Sequence, residues 1–391
     1  MPEAVIVAAA RTPIGRAHKG SLVDVDAFEL ARIAAGETFA RAGIPSGDVD
    51  DMVIAESLQG GGAIARYVAI ELGMPEVPGM ADNRHCAAGL SSVQIAAASI
   101  RAGMDRVVLA GGTESISSMP MSTKSQPASA RDPQPWMSPS HPETPEAPAW
   151  DMSITVGENA SRLAGLTRAD LDEWAALSQG RAVASIEAGW FVEEIVAVDV
   201  PDGAGGTRTF AVDEHPRAGT TVESLAALAP LHPELEHPTI TAGNAAGLND
   251  AAAAVMIVSD EYAAAHGLTP LARIRSWASV GVEPERTGLA PIQAIPKALG
   301  RGGLTLGDID LFEINEAFCS VPVAASRALD IDPEILNVNG SGCSLGHPIA
   351  ATGTRMVITM LGELRRRGDT LGCVSMCAGG GMGSALVLEL L

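Results

Sequence analysis

Aromatic side chains are scarce, at 3% of the 391 residues, so large rings cannot dominate the packing. The interior must be filled by small and aliphatic side chains instead, because 47% of the chain is hydrophobic and Ala and Gly recur throughout. That composition suits helix-on-sheet packing in an α/β enzyme. Basic residues are also in deficit. Lys plus Arg total 26 against 47 Asp plus Glu, a net charge of −21, which excludes broad attraction to nucleic acid or anionic lipid. Any anionic ligand must find a local basic pocket. No apolar span of about 20 residues suggests a membrane helix, and the opening MPEAVIVAAARTPIG carries no basic leader. A soluble, cytoplasmic protein is expected.

The five cysteines, Cys86, Cys319, Cys343, Cys373 and Cys377, form no CxxC framework, and their odd number predicts reduced thiols rather than a disulfide scaffold. Eight histidines are scattered, none at zinc-like spacing, so no metal site is implied.

The length suits two domains or one large α/β domain with a sizeable core. AVIVAAARTPIG reads as a buried strand ending in a turn at Pro13 and Gly15, and residues 25–42 follow as a helix with Phe28, Leu30, Ile33 and Ala34 on one stripe. Strand DDMVIAES comes next. This alternation predicts a parallel sheet covered by helices. CAAGLSSVQIAAASIRAG reads as a nearly uncharged buried helix, followed by strand RVVLAGGTES. Between Pro120 and Pro148 eight prolines mark an irregular stretch unable to hold a regular helix or strand, of the kind that forms lids. LTRADLDEWAALSQGRAVASIEAG restores a helical pattern, and NDAAAAVMIVSDEYAAAHG reads as a second apolar helix.

The chain from about residue 271 echoes its start. An offset of 268 pairs Ile274 with Ile6 and Gly379 and Gly380 with Gly111 and Gly112, while the helix after Cys86 matches the one after Pro348, ending at Gly103 and Gly368. Two similar halves meeting at one cleft are predicted.

Cys86 stands at the expected start of a buried helix, where unpaired N–H groups and the dipole favour negative charge, so its thiol pKa is expected below the usual value of about 8.5. In isolation a cysteine is more often a small buried hydrophobe. Context decides otherwise. NRHCAAGLSSVQ, followed by GGTES, resembles the nucleophile segment of the thiolase family, and INEAF (314–318), NVNGSGCSLGHP (337–348), CAGGGMG (377–383) and ITAGNAAGLNDAAAA (240–254) agree in order and spacing. The resemblance implies a five-layer αβαβα fold of two similar halves with an inserted lid or loop domain. It divides the chain into 1–117 plus 238–268, 118–237 and 269–391.

His347 suits a general base near neutral pH, although a turn histidine also commonly bonds backbone. The resemblance assigns it to activation of Cys86 and, with a water, to a first oxyanion hole. Asn315 opens an expected helix, where it would serve as an N-cap; the resemblance has it hold that water. Cys377 precedes successive glycines whose backbone can approach a ligand. By resemblance it handles the α-carbon proton, and the N–H groups of Cys86 and Gly379 form a second oxyanion hole. For coenzyme A and acyl-CoA, both substrates rather than tightly bound cofactors, the resemblance points to Met152, Arg217, Ser224, Leu228, Ala242, Ala246, Ala317 and Phe318, with Arg217 as the cation. A homodimer or homotetramer is implied.

The implied reaction is ping-pong acyl transfer through an acyl-cysteine, cleaving a 3-ketoacyl-CoA or, in reverse, condensing two thioesters. Several positions depart from the common pattern: Asp151, Met152 and Ser153 replace HMG, Ala246 replaces a serine, GSGCS replaces GGAIA, and Thr287 replaces a methionine. The smaller Thr287 beside the acyl group predicts substrates longer than acetoacetyl-CoA. A short-chain acetyl-CoA acetyltransferase is the alternative. A ketoacyl-carrier-protein synthase would need a histidine or asparagine where Cys377 stands, and an inactive acyl-CoA-binding protein would not need all of Cys86, Asn315, His347 and Cys377.

Overall fold

The computed structural model describes residues 2–125 and 134–391. Its first half runs through β1 (Ala4–Arg11), β2 (Gly15–Arg16), α1 (Ala27–Ala42), β3 (Asp51–Ala55), α2 (Ile64–Glu71), β4 (Met80–Asp82), α3 (Ala88–Arg101) and β5 (Val107–Ser115). A long segment then carries β6 (Thr123–Lys124), β7 (Gln134–Pro135), α4 (Asn159–Ala164), α5 (Arg168–Glu187), β8 (Val198–Pro201), β9 (Thr207–Phe210) and α6 (Val222–Ala226). The chain returns through β10 (Asn249–Ser259) and α7 (Asp260–His266). The second half comprises β11 (Ala272–Gly281), α8 (Pro291–Gly302), β12 (Leu311–Ile314), α9 (Ser320–Leu329), α10 (Gly342–Leu345), α11 (Ile349–Arg367), β13 (Leu371–Ala378) and β14 (Met382–Leu390).

Local signals set the helix ends. Asp26 accepts the Glu29 N–H at the start of α1, and Thr167 and Asp170 form a reciprocal capping box on α5. Arg365, Arg366 and Arg367 occupy the last turn of α11, at the negative end of its dipole, before Gly368.

The strand order is β12-β13-β14-β11-β1-β10-β5-β3-β4, with β2 also paired to β10. It reads alike outward from the β11–β1 seam in both directions, which matches the expected duplication. Only two residue pairs, Val5 with Arg273 and Ile6 with Ala272, join the halves at that seam. Between the half-sheets lie α3 and α11. Leu90, Val93, Met356 and Val357 share one core with Ile6 and Val255 of the first half-sheet and Val374 and Leu386 of the second. Helices α1 and α2 cover the outer face of the first half-sheet, and α8 and α9 that of the second. Helix, sheet, helix, sheet and helix thus stack in the expected αβαβα order.

The structure corrects several expectations. The sheet is mixed rather than parallel: β3 runs parallel to β4 and β5, and β12 to β13, whereas β10 is antiparallel to β1 and β5, and β14 to β11 and β13. A tight turn such as that between β13 and β14 permits only antiparallel pairing. NDAAAAVMIVS is strand β10, and only the residues after it are helical. Ala252, Ala254, Met256 and Val258 enter the outer core while Ala253, Val255 and Ile257 enter the middle one. Burial on both faces removes the polar alternation that marks a strand, so the run imitates a buried helix. Gly111 and Gly112 lie within β5, whereas Gly379 and Gly380 follow β13, so those glycines are not counterparts. Of the proline-rich stretch, residues 126–133 lie outside the described residues, and the rest is not wholly irregular, since Thr123 pairs with Pro135 and Lys124 with Gln134.

Among the described residues no helix is long and apolar enough to cross a membrane, and no group of three or more His, Cys, Asp or Glu could hold a metal ion. The five cysteines are free.

A buried ion cluster fastens the long segment to β1. Arg11 donates to both oxygens of Asp213 at 2.8 Å and to Glu194 at 2.7 Å, and Asp213 also accepts the Ile14 N–H at 2.7 Å. Burial alone would lower the Arg11 pKa, but the charges of Asp213 and Glu194 hold it above its ordinary value. Asp213→Ala strips one counter-charge from a guanidinium that is 1% exposed. A loss of about 3–5 kcal/mol is expected, read as a lower urea midpoint. An unchanged midpoint would contradict this account.

Candidate active site

The first turns of α3 and α11 press together. Thr354 Oγ1 donates to the Gly89 carbonyl at 2.8 Å, and a β-carbon at Gly353 would stand 2.8 Å from Leu90 Cβ, closer than real side chains come. Cys86 lies just ahead of α3 and His347 just ahead of α11, so this contact brings their two segments to one place.

Cys86 is half-buried, and Cys377, near the end of β13, is buried close enough for the two sulfurs to act on each other. The Gly379 N–H and the Cys86 N–H both act on the Cys86 sulfur in the direction that favours a thiolate. Burial nonetheless pushes the Cys86 thiol up to about 11, the two N–H groups offset part of that, and the Glu114 charge adds to it. The expected lowering is therefore overturned. The sulfur sits before the first turn of α3 with no cation acting on it among the described residues, and a low-dielectric setting disfavours the thiolate. Burial and then the Cys86 sulfur raise Cys377 in the same direction.

His347 is buried, and desolvation, followed by the Arg355 charge, lowers its pKa to about 3, so the imidazole is neutral at neutral pH. Its Nδ1 lies 2.7 Å from Thr352 Oγ1, whose own hydrogen goes to the Pro348 carbonyl at 2.8 Å. Thr352 must then accept, which puts the ring proton on Nδ1 and leaves Nε2 as the basic nitrogen. Asn249 Oδ1 accepts the His347 N–H at 2.9 Å, and Asn249 Nδ2 donates to the Gly15 carbonyl at 2.9 Å. Gly346, at φ 106, leaves room for that amide: a β-carbon there would meet Asn249 Cγ at 2.7 Å.

Asn315 follows β12 and caps no helix, since α9 starts at Ser320. Its N–H donates to Ser375 at 2.9 Å, and its Nδ2 stands 3.5 Å from both ring nitrogens of His347. Oδ1 is buried without a hydrogen-bond partner among the described residues. An orphaned acceptor beside an imidazole suits a bound polar group. Next to it, buried Glu316 accepts from Trp174 Nε1 at 2.9 Å, Ser178 at 2.7 Å, Asn337 Nδ2 at 2.9 Å and the Cys343 N–H at 3.2 Å, tying α5 to the segments that carry Asn315 and His347.

Arg217, Ser224, Leu228 and Ala242 line one cavity of about 350 Å³, together with Gln179, His215 and Cys343. Ala246 adjoins it and donates its N–H to the Ala317 carbonyl at 3.0 Å, while Phe318 bridges to Ala245. The Ser224 hydroxyl donates to the Thr221 carbonyl at 2.8 Å within the capping box of α6. Met152 lies apart from that cavity, with its sulfur 3.6 Å from where a Gly379 β-carbon would stand. Thr287 is buried, and its hydroxyl accepts the Gly381 N–H at 3.0 Å while donating to Pro284 at 2.6 Å. It braces the glycine turn.

Family models agree with this geometry: the thiolase N-terminal domain matches residues 4–261 and the thiolase C-terminal domain residues 268–390. The chain belongs to the thiolase family. It is 40% identical to a Bacillus subtilis 3-ketoacyl-CoA thiolase with all of both chains covered, and 41% identical to a Pseudomonas aeruginosa acetyl-CoA acetyltransferase with 99% of each covered. The crystal structure of human mitochondrial 3-ketoacyl-CoA thiolase superposes with a TM-score of 0.89 at 33% identity, covering 100% of this chain and 99% of that one. As a thiolase, the protein is an acyltransferase.

Sequence reasoning missed Asn249, Thr352, Glu114 and Glu316. Each was visible as a polar residue inside an otherwise apolar or glycine-rich motif, such as Asn249 in GLNDAAAA, but its partner lay 98 residues away in the case of Asn249 and His347.

Two outcomes follow from this geometry. Iodoacetamide should alkylate Cys86 about tenfold faster per pH unit from pH 7 to 10, because the thiol stays protonated until pH approaches about 11; a plateau below pH 9 would contradict the raised pKa. Asn249→Ala should lower kcat by about 10²-fold through loss of the turn holding His347. Asn249→Asp, which retains an acceptor for the His347 N–H, should recover part of that, and equal losses in both variants would remove the positioning role.

Proposed function

We propose that this thiolase cleaves 3-ketoacyl-CoA with coenzyme A, giving acetyl-CoA and an acyl-CoA shortened by two carbons, and runs the reverse Claisen condensation. The observation that carries the reading is the convergence of two protonated thiols and the Gly379 N–H beside a segment presenting a neutral imidazole and an orphaned amide oxygen. Cys86 attacks the 3-keto carbon as His347 Nε2 takes its proton. Asn315, holding a water, and His347 stabilise the oxyanion of the departing acetyl-CoA, and the Cys86 and Gly379 N–H groups stabilise that on the acyl-cysteine. When the C2–C3 bond breaks, the enolate takes a proton from Cys377. Coenzyme A then enters, gives its thiol proton to Cys377, and attacks the thioester, after which Cys86 recovers its proton from His347. Protons balance over the cycle.

The raised pKa of Cys377 supports this role, since a thiol that stays protonated is a ready donor to a carbanion. Coenzyme A would occupy the 350 Å³ cavity, with Arg217 as its cation. That guanidinium makes no ion pair among the described residues. The same reading divides the chain at 1–117 plus 238–268, 118–237 and 269–391, with the middle part as lid, and takes the enzyme as a cytoplasmic homodimer or homotetramer with no tightly bound cofactor, acting in fatty-acid β-oxidation. The mirrored strand order supports the division into halves. The smaller size of Thr287 is the feature that favours substrates longer than acetoacetyl-CoA, while its hydroxyl is committed to Gly381 and Pro284.

Incubation with acetyl-CoA should add one acetyl group to the protein by intact mass, and none to Cys86→Ala. Cys377→Ala should still be acylated yet fail to exchange the α-proton of the thioester. Undiminished exchange would end the role assigned to Cys377. Rates of thiolysis across a chain-length series separate the two substrate readings, and activity confined to acetoacetyl-CoA would favour the short-chain acetyltransferase.

A further inference from the structure

His85 immediately precedes the nucleophile and takes no part in the chemistry above. Its backbone is left-handed at φ 46, a conformation that costs a non-glycine residue roughly 1–2 kcal/mol. The Asn83 side chain holds it there by accepting the His85 N–H at 2.8 Å. The turn sets the imidazole against the glycine whose N–H reaches the Cys86 sulfur. A β-carbon at Gly379 would stand 3.8 Å from His85 Cγ, 3.8 Å from Ser140 Cβ and 3.6 Å from Met152 Sδ. His85, Ser140 and Met152 therefore gather around the glycine whose N–H acts on the Cys86 sulfur.

The hydrogen bonding of that wall is only partly satisfied. His141 Nε2 lies 3.0 Å from the Ala147 carbonyl, which can only accept, so Nε2 carries the proton and Nδ1 accepts from the Ser140 hydroxyl at 2.8 Å. His141 is thus saturated, while Ser140 Oγ keeps acceptor capacity. The half-buried His85 ring makes no hydrogen bond among the described residues. Burial, and then the neighbouring His141, lower its pKa, so it is neutral and offers one donor and one acceptor. Among the described residues no carboxylate or cation acts on it.

We propose that His85, with Ser140, forms a specificity-determining subsite for a neutral oxygen function, a hydroxyl or a ketone, on the acyl group carried by Cys86. A carboxylate is disfavoured because burying it beside neutral partners costs more than those hydrogen bonds return. A plain alkyl chain would leave the imidazole desolvated and unpaired. The proposal rests on the thiolase reading and narrows its substrate class.

The test compares kcat/KM for thiolysis of 3-oxohexanoyl-CoA, its 5-hydroxy and 6-hydroxy derivatives, and 3-oxoadipyl-CoA, the carboxylated counterpart. The wild-type enzyme should prefer at least one hydroxylated substrate over the plain one by about tenfold, the scale of one buried hydrogen bond. His85→Leu should abolish that ratio and His85→Asn, which suits a left-handed backbone, should retain part of it. Ser140→Ala should reduce it, and provides a test if the leucine variant does not fold. Equal rates on plain and hydroxylated substrates, preference for the carboxylate, or a ratio that survives His85→Leu or is untouched by Ser140→Ala would overturn the subsite. Failure to cleave any of the four would instead bring down the thiolase substrate reading, and this proposal with it.

Discussion

The contact between the first turns of α3 and α11 is the constraint on which the site depends. Each helix lies in the middle layer, and each is preceded by one of the residues proposed to carry the chemistry, Cys86 in one case and His347 in the other. Glycines at 89 and 353 let the two backbones touch, and the Thr354 hydroxyl bonds across the contact. A side chain at either glycine would force the helices apart and carry Cys86 and His347 with them. Glu114 reinforces the same junction from β5 by accepting the Ala350 N–H at 3.1 Å, together with the Leu58 N–H at 3.0 Å. Polar groups on both sides are consumed by the junction, which favours fixing Cys86 and His347 in place before a substrate arrives.

Duplication explains how one chain supplies two thiols. In the mirrored sheet, β5 and β13 occupy equivalent places, but only β13 continues directly into a glycine turn and a returning strand. That turn presents the Gly379 N–H to Cys86 and keeps Cys377 behind it. The first half instead departs from β5 into the long segment that supplies Met152 and much of the lining of the 350 Å³ cavity. Arg11 and its two carboxylates clamp that segment to β1.

Much of this was legible in the sequence, and what was hidden shares a physical cause. Motifs around Cys86, Asn315, His347 and Cys377 announce themselves because glycines and polar residues there interrupt apolar runs. Arg217, Ser224, Leu228 and Ala242 likewise fall into one cavity. Long-range facts were the illegible ones. Strand β10 read as a helix because its neighbours on both faces, which no local window contains, make every position apolar. Asn315 read as a helix cap because nothing nearby shows that α9 waits until Ser320. The Cys86 pKa was misjudged for the same reason: a dipole is local, whereas desolvation is the sum of everything the chain folds around the sulfur.

The raised pKa of Cys86 alters the physical picture of catalysis. In a protein with a net charge of −21, a preformed buried thiolate would be best held by a cation beside it, and among the described residues no cation acts on Cys86. The two thiols and the imidazole are uncharged at rest instead. Two protonated thiols and an uncharged imidazole carry no large desolvation cost while the site is empty, whereas a buried ion pair would. Charge need appear only as bonds change, when the donors that already converge on Cys86 are in position to meet it. Burial that raises both thiol pKa values then favours the return step as well, since a buried thiolate expelled at the end of a half-reaction gains by taking a proton back. Under the proposed mechanism, neutrality at rest is thus what lets these three groups pass protons in both directions along the reaction.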